Sequence, residues 1–285
     1  MKVGIGLPNA VPGATGEQIM EWARRAEKAG FSTLGTIDRL VYPNLESLVV
    51  LGAAAAVTER IRLATTVLLA PYRGNAALIA KQAATVHRLS DGRLTLGLGI
   101  GWREDDYEVS GVPWNRRGVL FDEVLEEVQS TWSHSDEDSG VGPDVAADPP
   151  ELLVGGSVDK AFTRAAKHGA AWMLGGGTPE QLAEGREKLE SAWNDAGRDG
   201  QPRALALGYF ALGESGEKDA HAYATHYYAQ MGKDTAAAIA ASAATDVETV
   251  SGYIKAFSDA GCDELVLFPS STDPEQVDLL AAAAF

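Results

Sequence analysis

A closed (β/α)8 TIM barrel is the fold this sequence predicts, and three observations predict it. Short apolar runs of strand length alternate eight times with longer helical segments. Helices ending at Gly30, Gly169 and Gly261 each pass through glycine straight into a strand, where a left-handed residue suits a helix exit. The 285 residues also match one α/β barrel of about 250 residues better than an open doubly wound sheet. The whole chain, 1–285, is therefore read as a single domain.

The elements follow in order. A strand over 2–7 leads to a helix over 16–30, opened by Thr15 and Gln18 at capping-box spacing. A strand over 32–37 precedes a helix over 44–60, and a strand over 62–68 precedes one over 75–90. The fourth unit pairs 93–98 with 115–132, and the fifth pairs 151–154 with 157–168. The sixth strand, 170–174, runs into a helix over 178–197, with a Thr178 and Gln181 box and Pro179 at the first helical position. A strand over 204–211 is followed by a long helical region over 216–260, expected to be broken, with a third box at Thr245 and Glu248. The last unit is a strand over 264–268 and a helix over 273–284.

Two segments depart from this rhythm. Residues 133–150, SHSDEDSGVGPDVAADPP, are acidic, rich in Gly and Pro and without periodicity. They read as a short mobile insertion before the fifth strand, with a fold over the barrel mouth and a plain tether both open to it. Residues 47–57, SLVVLGAAAAV, are apolar nearly all round, whereas an outer barrel helix keeps one face wet. That points to a homodimer with a two-fold interface on this helix, a covering loop being the alternative.

Composition excludes several classes of function. A net charge of −16 opposes a nucleic-acid or anionic-membrane partner, since phosphate binding needs a basic face. One cysteine, Cys262, excludes an intrachain disulfide and a multi-cysteine metal site, and is expected to pack beside the last strand. No signal-peptide core follows MKVGIGLPNA, and no apolar run approaches the roughly 18 residues of a membrane span. A cytoplasmic protein acting on a small molecule is the expectation. The histidines lack zinc spacing: His221 and His226 are five apart rather than four. No metal site is predicted.

Barrel active sites are built from the loops after the strand C-termini. Pro8 follows the first strand, Asp38 and Arg39 the second, and Thr65, Thr66 and Val67 close the third. Gly99, Gly101 and Trp102 follow the fourth. Gly155, Gly156 and Ser157 end the fifth at a helix start, and Gly175, Gly176, Gly177 and Thr178 end the sixth at another. Each Gly-rich turn places free backbone N–H groups, a hydroxyl and a helix N-terminus together, which suits a phosphate. Tight turns alone would also explain the glycines. Asp38 and Arg39 are the candidate charged pair at the mouth, the alternative being a salt bridge that holds the loop. Trp102 is placed either to line an aromatic ligand's pocket or to cap the barrel. No nucleophile elbow surrounds Gly155, Gly156 and Ser157.

The runs GIGLPN, AEKAGF, ERIRLATTVLLAP, IAKQAATVHRLSDGRLTLGLGIGWRE and LLVGGS resemble the bacterial-luciferase-like oxidoreductases. The resemblance is strong over 1–130 and looser over 150–200 and 245–270, and 79–104 is its most specific block. It implies a (β/α)8 barrel using FMN or coenzyme F420, with the flavin ring across the mouth near strands one to four. It implies a non-proline cis peptide at Thr66–Val67 behind the ring. It also implies a cofactor phosphate at Gly155, Gly156 and Ser157 together with Gly175 to Thr178.

Departures bear on activity. Many relatives carry a histidine where Arg39 stands, and arginine stays cationic and cannot be a general base at neutral pH. Trp102 occupies the place where some deazaflavin-dependent relatives put a catalytic glutamate, with Glu104 and Asp105 shortly after. Asp38, Arg39 and Trp102 remain the candidates for a catalytic role. The expectation is an F420- or FMN-dependent oxidoreductase passing hydride to or from a small organic substrate. The alternatives are an FMN-dependent monooxygenase and a cofactor-binding barrel without catalysis. A non-redox barrel enzyme would need a lysine or paired carboxylates at strand ends, whereas Lys81 and Lys160 fall in helical stretches.

Overall fold

Period-two alternation gives each strand one face toward the barrel axis and one toward the helices. In the computed structural model, which describes residues 1–134 and 140–285, nine strand segments follow. They are β1 (Lys2–Gly6), β2 (Thr33–Thr36), β3 (Arg62–Thr65), β4 (Leu68–Leu69), β5 (Leu94–Gly99), β6 (Glu151–Gly155), β7 (Ala171–Leu174), β8 (Arg203–Phe210) and β9 (Glu264–Pro269). They pair in parallel in the order β3-β2-β1-β9-β8-β7-β6-β5-β4, and a β3–β5 pairing closes the ring. β3 and β4 are two halves of one barrel strand, separated by the Thr66–Val67 peptide, which is cis. The result is an eight-stranded barrel with helices between strands.

Side chains divide as the alternation requires. Leu153, Met173, Leu205, Leu207, Val266 and Phe268 form the inner cluster. Ile5, Leu34, Leu63, Leu96 and Trp172 face the helices. Phe268 fits the axis because β1 and β2 present glycine to it. A Cβ on Gly6 would lie 2.1 Å from Phe268 Cδ1, and one on Gly35 2.9 Å from its Cζ.

Most local expectations hold. The capping boxes at Thr15 and Thr178 are both complete, and Pro179 opens its helix. The third box does not form: Asp246 is the N-cap and its carboxylate accepts the N–H of Thr249 at 2.8 Å. An ionised acceptor at a helix N-terminus outcompetes the neighbouring hydroxyl. Gly30 and Gly261 are left-handed as expected, but Gly169 is extended. Its need for glycine is close approach instead, since a Cβ there would lie 3.1–3.3 Å from three backbone carbonyls. The broken region becomes helices Gly216–Tyr227, Lys233–Ala241 and Val247–Asp259.

The acidic insertion does not reach the mouth over its described part, 140–150. The helix Arg117–Ser133 runs down to the N-terminal face of the barrel, and β6 starts there. Residues 142–148 are held at that face: Lys81 Nζ donates to the Gly142 carbonyl at 3.0 Å, His87 Nε2 lies 3.0 Å from the Asp148 carbonyl, and Val145 is buried. Residues 135–139, which carry most of the acidic run expected to be mobile, lie outside the described residues. Cys262 is buried beside β9 with Sγ 3.2 Å from the Glu264 carbonyl, and burial pushes its thiol up to about 12. Among the described residues no helix is long and apolar enough to cross a membrane.

Candidate active site

The break between β3 and β4 shapes the floor of the mouth. Thr65 Oγ1 donates to the Gly97 carbonyl at 2.7 Å and Thr66 Oγ1 to the Thr36 carbonyl at 3.1 Å, locking the break to both neighbouring strands. These hydroxyls are therefore engaged inside the barrel. Val67 then leans across the ends of β5 and β6. A Cβ on Gly99 would lie 2.5 Å from Val67 Cγ2, and one on Gly155 2.9 Å from Val67 Cγ1. Gly99 and Gly155 are thus packing partners of Val67, which forms a half-buried apolar platform. Gly101 is left-handed, with a Cβ position 2.9 Å from Leu69 Cδ1. Pro8 is buried in the turn Pro8–Ala10, where Asn9 bonds the backbone of Ile37 and Leu45.

Asp38 and Arg39 are not paired with each other. Asp38, buried, accepts the Leu69 N–H, the Tyr72 hydroxyl and Arg73 Nη2, each at 2.8 Å. It anchors β4 and the turn after it rather than facing the mouth with free oxygens. Burial disfavours a charged Arg73, but Asp38, Tyr72 and Glu46 together outweigh this and hold the guanidinium above its ordinary value. Arg39 turns instead to Asp106, with Nη2 2.7 Å from its Oδ2 and 3.5 Å from Asp105 Oδ1. Asp106 also accepts the N–H groups of Leu40 and Val41. The Arg39 side chain is 2% exposed, and Nε and Nη1 have no hydrogen-bond partner. An unsatisfied buried cationic donor is costly unless a ligand or water meets it.

Trp102 covers this guanidinium, whose Cζ lies 5.3 Å from the indole centroid. Tyr228 also stands by the indole, parallel to within 14° at 6.2 Å. Tyr228 shares a 2.7 Å hydroxyl–hydroxyl bond with Tyr209 from the end of β8. Burial raises both phenols above their ordinary value. The segment carrying Tyr228 crosses the mouth: Tyr42 Oη meets His226 Nδ1 at 2.8 Å, and Gln230 Nε2 donates to Asp105 Oδ2 at 2.8 Å. Hydrogen bonds from Arg103 hold Asp105 below the usual carboxylate range.

The two Gly-rich turns lie side by side on β6 and β7. Gly156, Ser157, Gly175, Gly176, Gly177 and Thr178 are exposed. The helix Asp159–His168 starts without a side-chain cap, which leaves its first N–H groups open to solvent. No atom lies within 4 Å of a Cβ position on Gly175 or Gly176. Thr178 is different, because its hydroxyl caps its own helix through Gln181. Sequence reasoning missed Asp106, Tyr42, Tyr209 and Tyr228. The pattern offered one signal for Tyr209, an inward position at a strand C-terminus, and none for Tyr228, which arrives from a helix end far along the chain.

The luciferase-like monooxygenase family model matches residues 1–282. An uncharacterised protein of Mycobacterium tuberculosis (strain ATCC 25618 / H37Rv) is 37% identical over 176 residues, covering 57% of this chain and 61% of that protein. An F420-dependent secondary alcohol dehydrogenase, solved with an F420–acetone adduct, superposes with a TM-score of 0.79 at 18% identity, covering 99% of this chain and 97% of that one. The oxygenating constituent of 3,6-diketocamphane monooxygenase from Pseudomonas putida, solved with FMN, gives 0.74 at 17% identity, covering 99% and 96%. At these identities the structural likeness establishes the barrel fold.

Proposed function

Because the chain belongs to the luciferase-like monooxygenase family, we propose that it is an oxidoreductase using coenzyme F420 or FMN on a small organic substrate. The observation that carries this reading is the mouth itself. The Val67 platform lies beside two open Gly-rich turns on adjacent strands, giving an apolar floor for a planar ring and N–H groups for a phosphate. Ser157, Gly175, Gly176 and the first turn of Asp159–His168 would hold the phosphate. Thr178 would contribute its backbone rather than its hydroxyl.

When bound, the cofactor supplies hydride transfer, or oxygenation where FMN and oxygen are used. The chain supplies position and charge. Arg39 is a fixed cation with free donors at Nε and Nη1, suited to holding negative charge and unsuited to accepting a proton. Asp38 acts through β4, keeping the platform in place. Trp102 and the segment carrying Tyr228 stand at the rim of the mouth. F420 is preferred, with FMN-dependent monooxygenation as the second reading.

A parallel fluorescence titration of the purified protein with F420 and FMN tests this. Saturable binding of one at about micromolar concentration, the −8 kcal/mol range, is expected. Binding of neither would overturn the redox reading.

The apolar helix, Ser47–Ala55, supports a second proposal, a homodimer. Most of it is buried within the subunit, but Val49 is 69% exposed, beside Leu45 at 38% and Leu78 at 49%. Sedimentation should give twice the chain mass, and Val49→Lys should shift it toward the monomer.

A further inference from the structure

We infer that the cavity of roughly 360 Å³ beside the mouth is a second small-molecule site, suited to an uncharged amide carrying an apolar group. The inference goes beyond the redox reading and does not depend on it, since neither Val67 nor the Gly-rich turns line this cavity. Three observations carry it.

The first is a concentration of unmet polar groups. Among the described residues, more than half of the buried side-chain nitrogen and oxygen atoms without a hydrogen-bond partner belong to Arg39, Asn44, Glu46 and Arg73. All four residues line this one cavity. Ion pairs account for two of the atoms: Arg39 Nη2 lies 2.7 Å from Asp106 Oδ2, and Glu46 Oε1 lies 2.8 Å from Arg73 Nη1. Arg39 Nε and Nη1, Arg73 Nε and Asn44 Oδ1 stay unmet, and the Arg39 side chain is only 2% exposed. Buried polar groups in folded proteins nearly all find partners, so unmet groups gathered round one cavity call for a ligand that meets them.

The second is the kind of atom left over. Asn44 Nδ2 already donates to the Leu45 carbonyl at 3.2 Å, which leaves Oδ1 as the free end of that side chain. The set is therefore three donors on two guanidiniums and one acceptor. An amide answers it, with two carbonyl lone pairs for guanidinium N–H groups and an N–H for Asn44. Leu40, Leu78 and Ile79 supply an apolar wall for the rest of the molecule. The volume is that of about a dozen waters, room for one ring with such a substituent.

The third is charge. Both guanidiniums are already matched, Arg73 by Asp38 and Glu46 and Arg39 by Asp106. An arriving anion meets no net positive charge, in a chain that carries −16. An arriving cation meets two guanidiniums in the lining. That favours a neutral ligand, and engaging Nε and Nη1 from this side leaves the charge of Arg39 unchanged.

The probes are benzamide, acetophenone, benzoate and benzamidinium, alike in size and different at one substituent. They are titrated at neutral pH by calorimetry and saturation-transfer NMR, with and without whichever of F420 and FMN binds. Benzamide is expected to bind saturably and tighter than the other three, and the cofactor to leave it in place. Asn44→Ala should weaken benzamide about two- to tenfold, the worth of one hydrogen bond, and leave acetophenone unchanged. Tightest binding of either charged probe, equal affinity for benzamide and acetophenone, indifference to Asn44→Ala, or displacement by the cofactor would overturn the inference. So would no saturable binding, the unmet atoms then being served by ordered water or a second copy of the chain. The comparison among probes on the unmodified protein stands even where the variant folds poorly. Benzamide preference with no binding of F420 or FMN would overturn the redox reading alone.

Discussion

Gly99→Ala isolates the platform from the rest of the site. The added methyl would sit 2.5 Å from Val67 Cγ2, whereas carbons in contact prefer about 3.5–4.0 Å. Val67 or the end of β5 must therefore shift by about 1 Å. Val67 already lies against Gly155, so its open direction is outward, into the space assigned to the ring. Overpacking of this kind costs about 1–3 kcal/mol of stability, and a 1 Å misplacement at a reacting surface costs about a hundredfold in rate. Gly175→Ala is the matched control, because its methyl meets nothing within 4 Å and stability should change by less than about 0.5 kcal/mol. Urea denaturation and cofactor titration on both variants give the comparison. The platform account expects Gly99→Ala to lose stability and ring binding together, while Gly175→Ala keeps its stability. A Gly99→Ala protein as stable and as tightly binding as the original would refute it.

Three further outcomes follow from the same geometry. Asp38→Asn leaves Arg73, whose side chain is 16% exposed, with Glu46, 2.8 Å from its Nη1, as its remaining carboxylate, and weakens the bonds to Leu69 and Tyr72, so it should cost about 1–3 kcal/mol in denaturant unfolding. Gly185→Ala would drive a methyl to 2.3 Å from the buried Trp172 ring, so its unfolding free energy should fall by about 1–3 kcal/mol, read as a lower denaturation midpoint. Asp105 is held below its ordinary value by Arg103. Its stabilisation is therefore complete above the unfolded carboxylate value of about 3.9 and lost as pH falls through the lower folded value. The stability difference between the original and Asp105→Asn, followed by thermal unfolding from neutral pH to pH 3, should shrink only below about pH 4.

The barrel was legible because strand and helix periods alternate cleanly, and the strand ends marked where chemistry gathers. Glycine blurred the detail. Gly99 and Gly155 serve Val67, while Gly175 and Gly176 face open space, yet a missing side chain looks the same in sequence whether a ligand or a neighbour fills the gap. Adjacent charges misled in a similar way. Asp38 and Arg39 are neighbours in sequence, but each finds a partner tens of residues away, in Arg73 and Asp106. Tyr209, Tyr228 and Trp102 meet only through the closed fold, since they come from the end of β8, a helix C-terminus and the loop after β5. The position of 140–150 was recoverable in principle, because a segment from a helix's C-terminal end to the next strand's start belongs to the N-terminal face.

Amide hydrogen exchange, with and without whichever of F420 and FMN binds, tests the central claim most directly. The account predicts new protection at Ser157 to Lys160, at Gly175 to Gly177 and at Val67, all on the C-terminal face of one barrel. Protection confined instead to the roughly 360 Å³ cavity lined by Asn44, Asn75 and Gln82, or none at the Gly-rich turns, would contradict it.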